Sequence, residues 1–129
     1  IKAGSPLADG VSPVGGRDKE GPTAAVNSVA KLDHHIASNG TLLNQKFHPS
    51  SLEGESGSRN LNALIGSFFD QKGFHIQNNV VSGEILRDAQ ENPEQHQDLV
   101  VRVAGYSANF VSLDKSLQDD IISRTEQCF

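Results

Sequence analysis

Few side chains in this 129-residue chain carry the chemistry that catalysis or ligand binding needs. The one cysteine, Cys128, offers a thiol nucleophile, but alone it makes neither a disulfide framework nor a cysteine-built metal site. His34-His35 suggests a metal ligand pair, yet adjacent rings point different ways and further ligands at metal spacing are missing. The two histidines therefore read as a surface or turn pair. His48 before Pro49 and His75 within a strand read as buried, hydrogen-bonded residues. Gly15-Gly16 with Arg17 and Lys19 lacks both the spacing of a phosphate-cradling loop and a preceding strand. Asp114, Asp119 and Asp120 read as the solvated face of a last helix. What remains is a backbone feature. The apolar run Leu99–Val103 feeds directly into Ala104-Gly105-Tyr106-Ser107-Ala108, which places a glycine at the tip of a loop between two anchored elements. A glycine there ordinarily serves a turn through its permissive φ.

The elements that would position this loop follow from periodicity and punctuation. Six glycines and prolines break up the first twenty residues, which read as loop. Gly21-Pro22-Thr23 opens a helix carrying Ala25, Val26, Val29 and Ala30 as its stripe, fading near Asp33. Asn39-Gly40 marks a tight turn before a strand from Thr41 to Phe47. Ser50–Ser58 reads as a polar loop. The clearest helix runs from Ser58 to Lys72, with Leu61, Leu64, Ile65, Phe68 and Phe69 on one face. Ser58 would cap its start, and Gly73 would end it in the left-handed conformation. A strand over Phe74–Val81 and a short helix over Glu84–Gln90 follow, the latter stopped by Asn92-Pro93. Leu99–Val103 reads as a strand covered on both faces. A last helix spans about Ser112 to Thr125. The fold class is mixed α/β.

Composition bounds the rest. Apolar residues make up 36% of the chain, a globular share once the 12 glycines are counted with them. A net charge of −5 argues against a nucleic-acid partner, which basic residues must serve. No run reaches membrane-span length, and no basic-then-apolar leader opens the chain. These features read as a cytoplasmic domain from a reducing compartment.

Arg102-Val103-Ala104-Gly105-Tyr106-Ser107-Ala108 resembles the signature around the radical glycine of the glycyl radical enzymes, among them pyruvate formate-lyase, glycerol dehydratase and choline trimethylamine-lyase. Asp9–Pro13, Gly21–Ala24, Asn39–Asn44, Gln90–Glu94 and Gln118–Thr125 resemble the family in order and at sensible spacing. The resemblance implies the C-terminal portion of a ten-stranded α/β barrel enzyme. Residues 1–7 would end the barrel domain, and 8–129 would form the glycine radical domain, with its radical loop at 102–108. The chain would supply barrel strands around Leu42–Phe47, Phe74–Val81 and Leu99–Val103.

The chemistry so implied needs glycine. Loss of a hydrogen atom from Gly105 Cα leaves an unpaired electron between a donating amide nitrogen and a withdrawing carbonyl. A Cβ would crowd the planar unit, and burial would protect it from oxygen. Arg102, Val103, Ala104, Tyr106 and Ser107 would support the loop, Arg102 anchoring the strand end through a carboxylate. The resemblance further implies an activating enzyme that uses S-adenosylmethionine and an iron–sulfur cluster to remove the hydrogen. The stored radical would then oxidise a cysteine upstream in the parent chain, since Cys128 lies beyond Gly105 at the terminus. No metal or other bound cofactor is expected. Partners would be the activating enzyme, a small-molecule substrate, the rest of the parent chain and a second subunit of a homodimer. Ala104–Ala108 and Asn44–Pro49 are closer to the dehydratase and C–N or C–S lyase branch than to pyruvate formate-lyase. Glycerol, propane-1,2-diol, hydroxyproline, choline and isethionate stay open as substrates. The alternatives are a stand-alone domain that replaces an oxygen-damaged radical domain, or formate acetyltransferase.

Overall fold

The computed structural model describes residues 8–129; the expected end of the barrel domain at 1–7 lies outside the described residues. The chain is mixed α/β, as expected. A three-stranded parallel sheet has β1 (Leu43–Phe47) at its centre, flanked by β2 (Ile76–Val80) and by β5 (Glu126–Gln127). A separate antiparallel hairpin pairs β3 (Val100–Arg102) with β4 (Ser107–Asn109).

Every residue of β1 is buried, including Asn44, Gln45 and Lys46. Side chains alternate along a strand. Leu43 and Phe47 therefore share one face, where they meet Val26 and Val29 of α1 (Pro22–Val29) and Leu64 and Phe68 of α2 (Gly54–Asp70). The opposite face is polar. In parallel register Asn44 pairs with Gln77 and Lys46 with Asn79, so two strands present four hydrogen-bonding side chains side by side. Buried parallel strands ordinarily read as apolar runs on both faces; here one face is built to bind polar groups. A second apolar cluster lies beyond it. It joins Leu86 and Ala89 of α3 (Gly83–Glu91), Val101 and Val103 of the hairpin arm, Phe110, and Ile121 of α4 (Lys115–Ser123).

Several expectations shift. A 3-10 turn over Pro49–Leu52 runs into the expected loop, and α2 begins at Gly54, not Ser58. The end of α2 is left-handed at Lys72 (φ +72°), not at Gly73. Gly73 serves another need: a Cβ there would lie 2.3 Å from the Phe68 ring. Leu99–Val103 is not covered on both faces, because Val101 is buried and Val100 is exposed. It pairs in a hairpin instead of joining the parallel sheet, whose third strand is β5. The last helix is shorter than expected. Asp114 caps it by accepting from the Leu117 N–H at 3.1 Å, and Arg124 leaves it with ψ 135° to enter β5.

Candidate functional site

Gly105 sits at the tip of the hairpin rather than on a loop leading straight to a helix. The Val103 N–H donates to the Tyr106 carbonyl at 2.9 Å and closes the turn. Gly105 has φ +80°, a backbone state that costs an L-residue with a side chain roughly 1–2 kcal/mol. Within this chain the tip is exposed, and a Cβ on Gly105 would meet nothing within 4 Å. Backbone conformation, not space, demands glycine here.

The polar sheet face holds the hairpin from below. Gln77 Oε1 accepts from the Gly105 N–H at 3.0 Å, while its Nε2 donates to the Val103 carbonyl at 3.2 Å. Asn79 reaches the next residue back in the same two-handed way. Its Oδ1 accepts from the Arg102 N–H at 2.8 Å, and its Nδ2 donates to the Arg102 carbonyl at 2.7 Å. Two amides spaced two apart on β2 thus satisfy the backbone that β3 leaves unpaired.

Arg124, just past α4, adds a third fastening. Its guanidinium donates to the carbonyls of Val103 (3.0 Å) and Arg102 (3.4 Å) and pairs with Asp9 (2.9 Å) and Asp120 (3.2 Å). Asp9 also accepts from the Asn44 amide, which ties the N-terminal turn to the sheet. Next to them the buried Lys46 ammonium donates to the Ile122 carbonyl at 2.9 Å and lies 4.0 Å from Glu126. Burial holds the Lys46 pKa below the usual lysine value; the Glu126 carboxylate opposes that shift, and Arg87 and Arg124 add to it. Asp9, Ser12, Asp18, Lys46, Arg124 and Thr125 line a cavity of about 70 Å³ on this face.

The constellation is therefore a glycine peptide at an exposed tip, gripped through its own backbone atoms. The model of the family described as "Glycine radical" matches residues 7–111. The chain belongs to the glycine radical family. It is 54% identical over 126 residues to the probable dehydratase YbiW of Escherichia coli (strain K12), covering 97% of this chain and 16% of that protein. It is 51% identical over 124 residues to the trans-4-hydroxy-L-proline dehydratase of Clostridioides difficile, covering 96% of this chain and 16% of that one. Among solved structures, the glycerol-bound B12-independent glycerol dehydratase of Clostridium butyricum superposes with a TM-score of 0.95 at 67% identity. That match covers all of this chain and 16% of the other. The chain spans about a sixth of these relatives.

Within this glycine radical domain, the structure brings Arg102, Val103, Ala104, Tyr106 and Ser107 together with Gly105, in roles that differ. Val103 is buried in the second apolar cluster and anchors the turn. Ala104, Tyr106 and Ser107 are exposed. Arg102 has no carboxylate partner among the described residues. Its guanidinium instead donates to the Ser107 hydroxyl at 3.2 Å and to the Gly105 carbonyl at 3.4 Å.

The other candidates disperse. His34 is buried, not a surface residue: one ring nitrogen lies 2.6 Å from the Thr41 hydroxyl, and the other donates to the Val29 carbonyl at 3.1 Å. His35 is exposed. His48 is half-buried beside Ser50, while His75 is exposed and precedes β2, contrary to expectation. Gly15, Gly16, Arg17 and Lys19 occupy an exposed turn, and Cys128 is exposed. Asp119 and Asp120 are exposed as expected, and so is Asp114, although it also caps α4. Among the described residues, no group of three or more His, Cys, Asp or Glu could hold a metal ion, and no helix is long and apolar enough to cross a membrane. Gln77, Asn79 and Arg124 were not singled out from the sequence. Gln77 and Asn79 stand at i and i+2 of β2, but Asn78 between them hides the alternation, and no local pattern marks Arg124.

Proposed function

We propose that this chain is the radical-storing part of a glycyl radical enzyme, with Gly105 as the residue that carries the radical. The observation that supports it is the placement of Gly105 within the Arg102–Ala108 motif, at an accessible hairpin tip gripped by backbone hydrogen bonds. In activation the Gly105 Cα–H bond breaks homolytically. The hydrogen atom goes to a carbon radical that an activating enzyme makes from S-adenosylmethionine with one electron from an iron–sulfur cluster. The stored radical then takes a hydrogen atom from a cysteine thiol elsewhere in the parent protein, and the thiyl radical attacks substrate. The parent enzyme is a dehydratase or a C–N, C–S or C–C lyase acting on a small polar molecule. It works as a cytoplasmic homodimer, of which residues 8–129 form the radical domain.

Anaerobic activation of the parent protein should give an electron-spin signal whose doublet comes from the single hydrogen left on Gly105. Gly105→Ala should abolish that signal, with circular dichroism confirming that the variant folds. Air should then cut the activated chain next to Gly105 and nowhere else. A signal that survives Gly105→Ala, or cleavage at another residue, refutes the assignment.

A further inference from the structure

Beyond storing the electron, the tip carries groups arranged to tune it. Two neighbours touch the Gly105 peptide unit, one on each side of Cα. The buried Gln77 carboxamide accepts from the Gly105 N–H at 3.0 Å, and the Arg102 guanidinium donates to the Gly105 carbonyl at 3.4 Å. Resting on the reading of Gly105 as radical carrier, we propose that Gln77 and Arg102 polarise this unit from both ends and so set how the unpaired electron is shared.

An electron on Cα spreads only as far as the nitrogen donates and the carbonyl withdraws. An acceptor pulling on the N–H raises electron density on nitrogen. A cation on the carbonyl oxygen draws density away from the carbonyl carbon. Both contacts act in the same direction. They favour the radical over the intact C–H bond, and they move spin off Cα.

The Gln77 contact is the stronger of the two. It has ordinary hydrogen-bond length, and Gln77 is only 6% exposed, so water screens it little. Its orientation is also fixed. Were the amide turned over, its NH₂ would face the Gly105 N–H and its oxygen would face the Val103 carbonyl, two unfavourable pairs in place of two bonds. β2 supplies the rigid base, since Gln77 lies in register beside Asn44 on a buried central strand. Arg102, longer and more exposed, can follow the carbonyl when the carbon flattens, whereas Gln77 pins the N–H plane. A purely mechanical fastening would hold the hairpin in place and leave the electron's distribution alone.

The test uses the activated parent protein labelled with ¹⁵N-glycine, read by electron paramagnetic resonance. Gln77→Met should lower the ¹⁵N coupling and widen the α-proton doublet as spin retreats to Cα. Gln77→Glu is the conservative rescue. Its carboxyl oxygen still accepts from the Gly105 N–H in the place of the Gln77 oxygen, so its couplings should return toward the unaltered values. Arg102→Met should give a smaller shift in the same sense, and it decides the matter should Gln77→Met fail to fold. Couplings unchanged in Gln77→Met and Arg102→Met, beside a normal glycyl signal, overturn this inference alone. No glycyl signal from the unaltered protein overturns the radical reading and this inference together.

Discussion

The two faces of the β1–β2 pair are held by different physics. On one face of the sheet, Leu43 and Phe47 are locked between α1 and α2 by close apolar packing, with Phe68 fully buried and Gly73 bare so that its ring can seat. On the other face, the hairpin buries Val101 and Val103, but residues 104–107 at its tip are exposed and hang from the side-chain bonds of Gln77, Asn79 and Arg124. Apolar packing cannot be undone without opening a void. Hydrogen bonds can be exchanged for water at a net cost of only about 0.5–1.5 kcal/mol each. The first face is thus a foundation, and the second carries a fitting that opens at a lower free-energy cost than the foundation. Native-state amide exchange should be slowest at Phe47 and Phe68 and fast at Ala104 and Tyr106.

The largest way to break this contrast is Phe68→Ala. Deleting a fully buried ring from the foundation should destabilise the chain by about 3–5 kcal/mol. It should also speed exchange throughout α2 and β1, as seen in denaturant unfolding and exchange mapping. A loss no greater than that of a surface substitution would mean that the foundation is not where the stability resides.

Asn79→Leu tests the fitting. Leucine keeps the apolar bulk but cannot bond the backbone. The Arg102 carbonyl still has Arg124, whereas the Arg102 N–H loses the Asn79 oxygen it donates to. Leaving one part-buried donor unpaired should cost about 1–3 kcal/mol. That loss should appear as faster exchange in the hairpin, with α2 little changed. Equal acceleration in both regions would show that the two unfold as one unit.

The foundation was far more legible in the sequence than the fitting. α1 and α2 announce themselves through apolar stripes and, in α1, through Pro22 at the first turn. β4 and β5 carry no such pattern. Ser107–Asn109 follows a glycine turn and reads as part of it, and Glu126–Gln127 is a strand only because β1 offers an open edge beside it. The glycine itself was legible from its motif, yet the side chains that grip it were not. Gln77 and Asn79 lie in Ile76-Gln77-Asn78-Asn79-Val80, where three successive amides blur any alternation. Only the register against Asn44 and Lys46 shows that one face of two strands is polar and buried. Gly73 teaches the same lesson in reverse. Local rules assign it a helix cap, but packing against Phe68 takes precedence and leaves Lys72 to adopt the left-handed turn.

The smallest effect concerns the charge buried where the two regions meet. Lys46 lies in the foundation's central strand but on the face of the fitting, and burial lowers its pKa from 10.5. The unfolded chain therefore binds more protons than the folded one between the folded pKa and 10.5. In that window Lys46 makes stability rise with pH. Below the folded pKa both states are protonated, and the penalty for burying the ammonium is present in full. Glu126 offsets part of it through their 4.0 Å pair. Lys46→Met removes the titration, so its urea-unfolding free energy should lose the rising component that the unaltered chain shows at alkaline pH. The difference between the two slopes can reach at most about 1.4 kcal/mol per pH unit, the value for a single proton. Identical slopes from neutral to alkaline pH would mean that Lys46 keeps its proton in the fold as readily as in water. The polar face would then be wet enough to screen every fastening of the hairpin, Gln77 included.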